Sequence, residues 1–358
     1  MLRNDEVAAQ RRRWTFYETI EINYEICNSG PADIFFYEEW MKLGTFEISG
    51  KRHIGAFENE WAIDLAAAYC AYLADSGVSD AEMKTKAELP DDLLSFISRN
   101  DVSLPAARKA INFIRQKNFQ VPKCAYPVSQ VAFRAPHRPP KIICTGVNYE
   151  DYRKLIGLAY SPVPLVFLKS PSAVIGHEET IFLPEGYGVF YHEWEFSCVI
   201  SKKCKFVPKE KANEVIFGYT ILNDITARSL EATSREFQPW GKNIDTFAPT
   251  GPWIVTPDDM PKDLYKLKTL RRRNGKVECE SNTANMRLGF AEIIEFVSNF
   301  WTLEPGDIIT TATPPAGPFE PGDIIEAEIE GIGILRNPVK GIRVNPRFAK
   351  EINLKDVV

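Results

Sequence analysis

Histidine is scarce in this sequence, and several other common signals are missing. The 358 residues include four histidines: His53, His137, His177 and His192. This number argues against a His-rich metal site, so any bound metal must rely mainly on carboxylates. The seven cysteines are scattered and form no Cys-x-x-Cys pair. That pattern is typical of free thiols in a reducing compartment, and we expect a cytoplasmic protein without a disulfide framework or a zinc site.

An excess of positive charge and a long apolar run are also absent. The chain has 48 acidic and 43 basic residues, a formal net charge of −5. Nucleic acid or an anionic membrane as the main partner would favour a basic stripe instead. The longest apolar stretch, residues 62–74, is interrupted by Asp64 and is too short to span a bilayer. We therefore expect small molecules as partners, with neither nucleic acid nor membrane.

The first 40 residues show no clean period of apolar residues, whereas Met41 opens a run typical of the start of a domain. Residues 41–64 read as three short strands with turns at Ser-Gly-Lys and Glu-Asn-Glu. Helical patterns follow up to residue 116. We expect an extension over residues 1–40, with Met41 as a candidate native start that intact-mass measurement can test. A small α+β domain is expected over residues 41–122.

The remainder of the chain changes character twice. Residues 121–141 contain five prolines, and we expect a linker over residues 123–141. From residue 142 to 345, short β-branched and aromatic runs bounded by Gly, Pro or Asn recur, with few helices between them. A tail is expected over residues 346–358. The predicted fold class is therefore α+β and mainly β, because a Rossmann or TIM arrangement would need regular alternation of strands and helices.

Two carboxylates lie two residues apart at the start of a predicted strand. Successive side chains of a strand point to opposite faces, so Glu193 and Glu195 project together. Two close carboxylates repel each other unless a cation or a proton lies between them. A solvated acidic strand edge is the simpler explanation for this pair taken alone.

A third carboxylate, Asp224, ends the apolar strand that precedes it. A carboxylate there is costly to bury unless it is paired or bound to metal, although Asp also commonly caps a following helix. Together, Glu193, Glu195 and Asp224 suit a hard cation such as Mg²⁺, Mn²⁺ or Ca²⁺.

Two cationic residues lie close to these carboxylates in the sequence. Lys242 belongs to a loop rich in Gly and Pro and can hold a substrate carboxylate or an oxyanion. Arg228 follows Asp224 by one helical turn and can clamp a carboxylate or neutralise the acidic cluster. An ordinary surface pair of Lys242 with Asp245 is the alternative for the loop.

Seven strings occur in the order of one known family, and they carry a resemblance that no single string would support. The strings are KIICTGVNYEDY, PLVFLKSPSAVIG, HEWEFSCVISKK, FGYTILNDITARSLE, GKNIDTFAPTGPWIVT, NGKVE with SNTANM, and LEPGDIITTATPPAG. In these strings residues 141–345 resemble the fumarylacetoacetate hydrolase family. With the segment at residues 44–65, the resemblance covers about 300 of the 358 residues. It implies a roll of mixed β-sheets after a small N-terminal domain, and often a homodimer.

The resemblance also implies a metal-dependent chemistry and assigns residues to it. Family members bind Mg²⁺, Mn²⁺ or Ca²⁺ and act on 2-oxo acids and 1,3-dicarbonyl compounds through a metal-bound enolate. Metal ligation falls to Glu193, Glu195 and Asp224, with catalytic roles for Lys242 and Arg228. Candidate substrate contacts are Tyr149, Tyr152, Glu231 and Thr313.

The sequence departs from the family pattern where the water-activating base would stand. Many members carry a His and, three residues later, a Glu on a mobile lid, whereas this chain has Tyr152 and Leu155. A tyrosine with a reference pKa near 10 is a poor general base at neutral pH. Glu231 also replaces a frequent Gln. His177 is a candidate replacement base, although a hydrogen-bonded packing role is the simpler expectation for it. Glu150, Lys154 and Glu231 are further candidates.

Three functions remain open from the sequence. C–C bond hydrolysis, as in fumarylacetoacetate or acylpyruvate hydrolases, is favoured by its frequency in the family. A decarboxylase, hydratase or sugar-acid dehydratase is the main alternative, because such lyases do not necessarily need the missing pair. A non-catalytic metal-binding relative is the third, and the retained charged residues argue against it.

Overall fold

The computed structural model describes residues 41–159, 161–233 and 238–345. The expected extension over residues 1–40 and the expected tail over residues 346–358 lie outside the described residues. No helix of the described ranges is long and apolar enough to cross a membrane.

The predicted three-stranded meander is present at the start of the described chain. Its strands are antiparallel, and the turn between the first two places Ser49 at φ 51° and Gly50 at φ 76°. Two consecutive positive φ values match the twist of a two-residue hairpin, which favours glycine. The strands are β1 Lys42–Ile48, β2 Lys51–Glu58 and β3 Trp61–Asp64.

Helices follow the meander. Asp64 caps the first, accepting a hydrogen bond of 3.1 Å from the Ala67 amide. The sequence did not predict the second helix, whose only buried residue is Thr85. The fourth begins at Asn100 and contains Pro105, and its buried apolar face packs into the core of this region. The helices are α1 Leu65–Asp75, α2 Ala81–Glu88, α3 Leu93–Ser98 and α4 Asn100–Gln116.

The rest of the chain is mainly β-structure, as predicted from its short apolar runs. The Pro-rich segment contributes β4 and β5, which pair with β3 and β1. The further strands are β4 Ala125–Pro127, β5 Ala132–Arg134, β6 Ile142–Gly146, β7 Leu165–Lys169, β8 Val174–Ile175, β9 Ile181–Pro184, β10 Phe190–His192, β11 Trp194–Ile200, β12 Ile216–Asn223, β13 Thr226–Ala227, β14 Ala248–Val255, β15 Lys268–Arg273, β16 Lys276–Asn282, β17 Ile308–Thr310, β18 Gly317–Phe319, β19 Ile324–Ile329 and β20 Gly333–Ile342. The further helices are α5 Glu150–Leu155, α6 Arg228–Thr233 and α7 Phe290–Phe300.

These strands form three sheets. The largest runs in the order β4-β3-β2-β1-β14-β12-β11-β17-β6-β7, with β5 on β1 and β8 on β14. The other two have the orders β13-β10-β18 and β16-β15-β19-β20-β9. Pairing of β1 with β14 makes the N-terminal meander and the later strands parts of one sheet. The expected mixed-sheet α+β fold is thus confirmed, and its central strands β11 and β12 carry the site.

Candidate metal and substrate site

The antiparallel pairing of β11 with β12 brings the three predicted carboxylates together. Trp194 lies opposite Asn223, so Glu193 immediately before β11 faces Asp224 immediately after β12. The Asp224 amide donates a 2.8 Å hydrogen bond to the Glu193 carbonyl. Glu195 follows on the same face of β11. One oxygen from each of the three carboxylates lies within 4.8 Å of the others, and all three residues are buried. This group can hold a metal ion.

Two lysines neutralise part of this acidic group. Lys242 places its Nζ 2.9 Å from Glu193 Oε2 and 2.7 Å from Asp224 Oδ2, and also donates to Thr226 Oγ1 at 2.7 Å. Lys169 at the end of β7 places its Nζ 2.7 Å from Asp224 Oδ1. Lys169 also donates to the carbonyls of Ile225 and Lys242. Asp224 is thus held at both oxygens by cations.

The pKa directions follow from this arrangement. Burial alone would raise the pKa of Asp224, but Lys169 and Lys242 outweigh it and hold the pKa below its usual range. Burial lowers the affinity of the Lys242 amine for its proton, yet Asp224 and Glu193 hold its pKa well above the usual value. Lys242 therefore stays charged and is unsuited to act as a base.

Glu195 is the carboxylate that the lysines leave uncompensated. Burial, followed by the charge of Asp224, raises its pKa well above the usual value. Its Oε2 is buried and has no hydrogen-bond partner among the described residues. Burial also raises the pKa of Glu193, against the opposing effect of Lys242. Three carboxylates beside two lysines leave one net negative charge, so the donor set fits a hard divalent cation.

A cavity of about 930 Å³ opens over the carboxylates. Its polar lining comes from the predicted metal ligands and from residues on several other elements. The polar and charged side chains are Thr145, Tyr152, Tyr191, Glu193, Glu195, Asp224, Arg228, Glu231, Lys242 and Thr313. Its apolar lining includes the exposed Leu155, Leu158 and Leu165. No histidine lines this cavity within the described ranges.

Helix α5 places Tyr152 in the cavity wall. The Tyr152 amide donates a 2.8 Å hydrogen bond to Asp151 Oδ1. Asp151 Oδ2 accepts hydrogen bonds from Ser281 and, at 3.0 Å, from Asn285, so the helix is tied to β16 and the turn after it. Burial, followed by the charge of Glu193, raises the pKa of Tyr152. The Tyr152 hydroxyl is therefore a hydrogen-bond donor at neutral pH.

The residues predicted from the sequence divide into those at the cavity and those elsewhere. Arg228 and Glu231 line it on α6 and form an ion pair with each other. Thr313 also lines it, and its hydroxyl donates to the Pro314 carbonyl at 2.8 Å. Tyr149 is fully buried and is not among the lining residues.

His177 lies elsewhere, in a packing environment. Its Nδ1 accepts a 3.1 Å hydrogen bond from the Arg336 amide, and its ring packs edge-on against Phe133. Burial lowers the pKa of His177. This candidate base is therefore not among the residues that line the cavity.

Lys169 is the functional candidate that sequence reasoning missed. It ends the apolar strand β7 and is fully buried. A charged residue at the end of an apolar run is the same signal that identified Asp224, so the sequence did carry an indication.

This chain is similar in sequence and in structure to several known proteins. Residues 141–340 match the model of the fumarylacetoacetate (FAA) hydrolase C-terminal family. The mitochondrial oxaloacetate tautomerase FAHD2A of Bos taurus is 36% identical over 262 residues, which cover 70% of this chain and 80% of that protein. The 5-carboxymethyl-2-hydroxymuconate delta-isomerase of Mycobacterium smegmatis aligns with a TM-score of 0.62 and 28% identity, covering 84% of this chain and 99% of its own.

A second similar structure contains a metal. Maleylpyruvate hydrolase from Sphingobium sp. SYK-6, in complex with manganese(II) and pyruvate, aligns with a TM-score of 0.64 and 28% identity, covering 84% of this chain and 99% of its own. The names of these relatives span tautomerase, isomerase and hydrolase. The match of the family model over more than half of the sequence shows that this chain belongs to the fumarylacetoacetate hydrolase family.

Proposed function

We propose that this protein is a divalent-metal-dependent enzyme that interconverts the enol and keto forms of a small 2-oxo acid. The observation that carries the proposal is the cavity itself. It combines three buried carboxylates and a charged lysine with no histidine base in its described lining. Such a site stabilises negative charge on a substrate oxygen.

Tautomerisation of a 2-oxo acid moves a proton between C3 and the C2 oxygen. In the enol-to-keto direction the O–H bond at C2 breaks and a C–H bond forms at C3. Solvent water takes the first proton and supplies the second, so negative charge develops on the C2 oxygen between the two transfers. Glu193, Glu195 and Asp224 would hold a divalent cation, which supplies Lewis-acid polarisation of the 2-oxo group when bound. The fixed charge of Lys242, with its raised pKa, adds a cation beside the same carboxylates.

Tyr152 distinguishes this reaction from hydrolysis. Hydrolysis needs a base that takes a proton from water near neutral pH. The Tyr152 hydroxyl keeps its proton because burial raises its pKa, and the Leu155 side chain has no titratable group. Where many family members carry the water-activating His and Glu, this chain therefore has a hydrogen-bond donor, Tyr152, and an apolar side chain, Leu155. Similarity to an oxaloacetate tautomerase at 36% identity supports the same choice.

The proposal is tested by following enol and keto forms directly. Protein loaded with Mg²⁺ or Mn²⁺ is added to enol-rich oxaloacetate and 2-oxosuccinamate, and loss of enol absorbance is recorded. Malate dehydrogenase provides an independent measure of the keto form of oxaloacetate. We expect faster loss of enol that requires metal and Glu195. Unchanged enol decay for both compounds with fully metal-loaded protein would reject the proposal.

C–C bond hydrolysis is the second candidate, favoured by the structural similarity to a maleylpyruvate hydrolase. Pyruvate release from acylpyruvates, measured with lactate dehydrogenase, would support it. Release of CO₂ from oxaloacetate would support the lyase alternative. Neither product is expected above the rate given by free metal.

The homodimer and the cytoplasmic location remain predictions. Light scattering tests the first and fractionation of the native cell tests the second.

A further inference from the structure

One wall of the cavity contains an ion pair that the proposed chemistry does not use. Arg228 Nη1 donates to Glu231 Oε2 within α6, at a spacing of three residues. Both side chains line the cavity, and Glu231 is buried while Arg228 is partly exposed. The guanidinium that could bind a substrate carboxylate already has a carboxylate partner.

The other cationic side chain of the described lining is also engaged. Lys242 contacts Glu193, Asp224 and Thr226. The described lining thus offers no cation without a carboxylate beside it. A second substrate carboxylate at Arg228 would face Glu231, which carries the same charge. Separating Arg228 from Glu231 would leave a buried carboxylate without its cation, which is strongly unfavourable.

A neutral group with both a donor and an acceptor fits this wall better. The oxygen of a carboxamide accepts from the guanidinium of Arg228, and its NH₂ group donates to the carboxylate of Glu231. The ion pair then stays intact and each polar group keeps a partner. The hydroxyl of Tyr152 lies in the same cavity and can add a further hydrogen bond.

We propose that Glu231 is a specificity-determining residue, and that the substrate is a 2-oxo acid with a single carboxylate and a neutral, carboxamide-like distal group. This inference rests on the proposed function for the position of the 2-oxo acid end. It goes beyond that function because it concerns the distal end of the substrate.

The test measures binding, so it does not depend on turnover. Malate and its 4-amide, malamate, differ only at the distal group, and neither can form an enol at C2 because both carry a hydroxyl there. Each is titrated by calorimetry into the Mn²⁺-loaded full chain, with oxalate as a ligand for the metal end alone. The wild type is expected to bind malamate about tenfold more tightly than malate.

The variant Glu231→Gln should reverse this preference, because Arg228 then becomes available to the malate carboxylate. Oxalate affinity should stay within about twofold in Glu231→Gln, and Glu60→Gln, at an exposed position, is the matched control. Circular dichroism establishes that the variant folds. The ratio of malamate to malate affinity in the wild type tests the proposal without any variant.

Three results would overturn the inference: tighter binding of malate by the wild type, an unchanged ratio in a folded Glu231→Gln variant, or no binding of either ligand. Failure of the proposed function is distinguishable from these. It would appear as absent enol–keto acceleration while the malamate preference persists.

Discussion

The Nζ atom of Lys169 lies 2.7 Å from Oδ1 of Asp224, and both side chains are almost fully removed from solvent. Burying such a pair is costly for each ion taken alone, so each charge depends on the other. The contact joins the end of β7 to the end of β12 beneath the cavity.

Replacing Lys169 tests this dependence. Lys169→Met should lower the free energy of unfolding by about 3–5 kcal/mol, because Asp224 loses one of its two cations. Denaturant unfolding of the metal-free protein measures the change. The matched control is Lys203→Met, which removes an exposed lysine 3.1 Å from Glu304 and should cost less than about 1 kcal/mol. Equal losses in the two variants would show that burial of the Lys169 pair has no special effect.

We expect metal binding to depend on Glu195, one oxygen of which lies within 4.8 Å of oxygens of Glu193 and Asp224. Glu195→Gln keeps the shape of the side chain and removes one ligand charge. Loss of an outer-shell partner already costs about 10–100-fold in metal affinity, so loss of this ligand should cost at least tenfold. Titration with Mn²⁺ under electron paramagnetic resonance measures it.

The same variant should be as stable as the wild type without metal, or more stable. The reason is that burial raises the pKa of Glu195, and the substitution removes that unfavourable charge. Glu60→Gln serves as the control. Undiminished Mn²⁺ affinity in Glu195→Gln would place the metal elsewhere.

Hydrolytic activity should depend on the residues at positions 152 and 155. The double change Tyr152→His with Leu155→Glu introduces the two side chains that many family members carry there. A positioned base contributes about 10²–10⁴-fold, and we expect at least a tenfold rise in pyruvate release from acylpyruvates. Leu155 is 68% exposed, so the glutamate should cost little stability. Tyr152→Phe with Leu155→Gln is the matched pair without a base, and an equal rise in it would contradict the explanation.

His137 should make stability depend on pH. Burial lowers its pKa from 6.5 to about 4, partly opposed by its 2.6 Å hydrogen bond to the Gly306 carbonyl. His137 therefore gains a proton below pH 6.5 in the unfolded chain, but only below about pH 4 in the folded chain. The stabilisation is present above pH 6.5 and is lost as the pH falls toward 4. The loss amounts to about 3 kcal/mol at 1.36 kcal/mol for each pKa unit.

Unfolding free energies at pH 7 and pH 4.5 measure this contribution. His137→Gln can still donate to the Gly306 carbonyl but has no proton to gain, so its stability should fall less over the same interval. Parallel pH profiles of the two proteins would mean that His137 titrates normally.

The sequence alone was sufficient to predict the features that follow from local periodicity. Alternation along a strand put Glu193 and Glu195 on one face, and the structure brings their oxygens within 4.8 Å of an oxygen of Asp224. The turn chemistry around Gly50 similarly predicted the first hairpin. The order of the motifs along the chain, rather than any single motif, was enough to identify the family resemblance.

Contacts between distant segments needed the tertiary structure. Lys169 meets Asp224 although three strands lie between β7 and β12 in the sheet, and no spacing in the sequence encodes this contact. The same packing leaves His177 beside Phe133 and outside the cavity lining. Arg228 and Glu231 are close together in the sequence, but the effect of their ion pair depends on the tertiary structure around it. A helix surface pair is of little consequence in water, but in the wall of a cavity it decides which charge can enter. The sequence by itself determined which groups are available, and only the fold decided which of them are desolvated together.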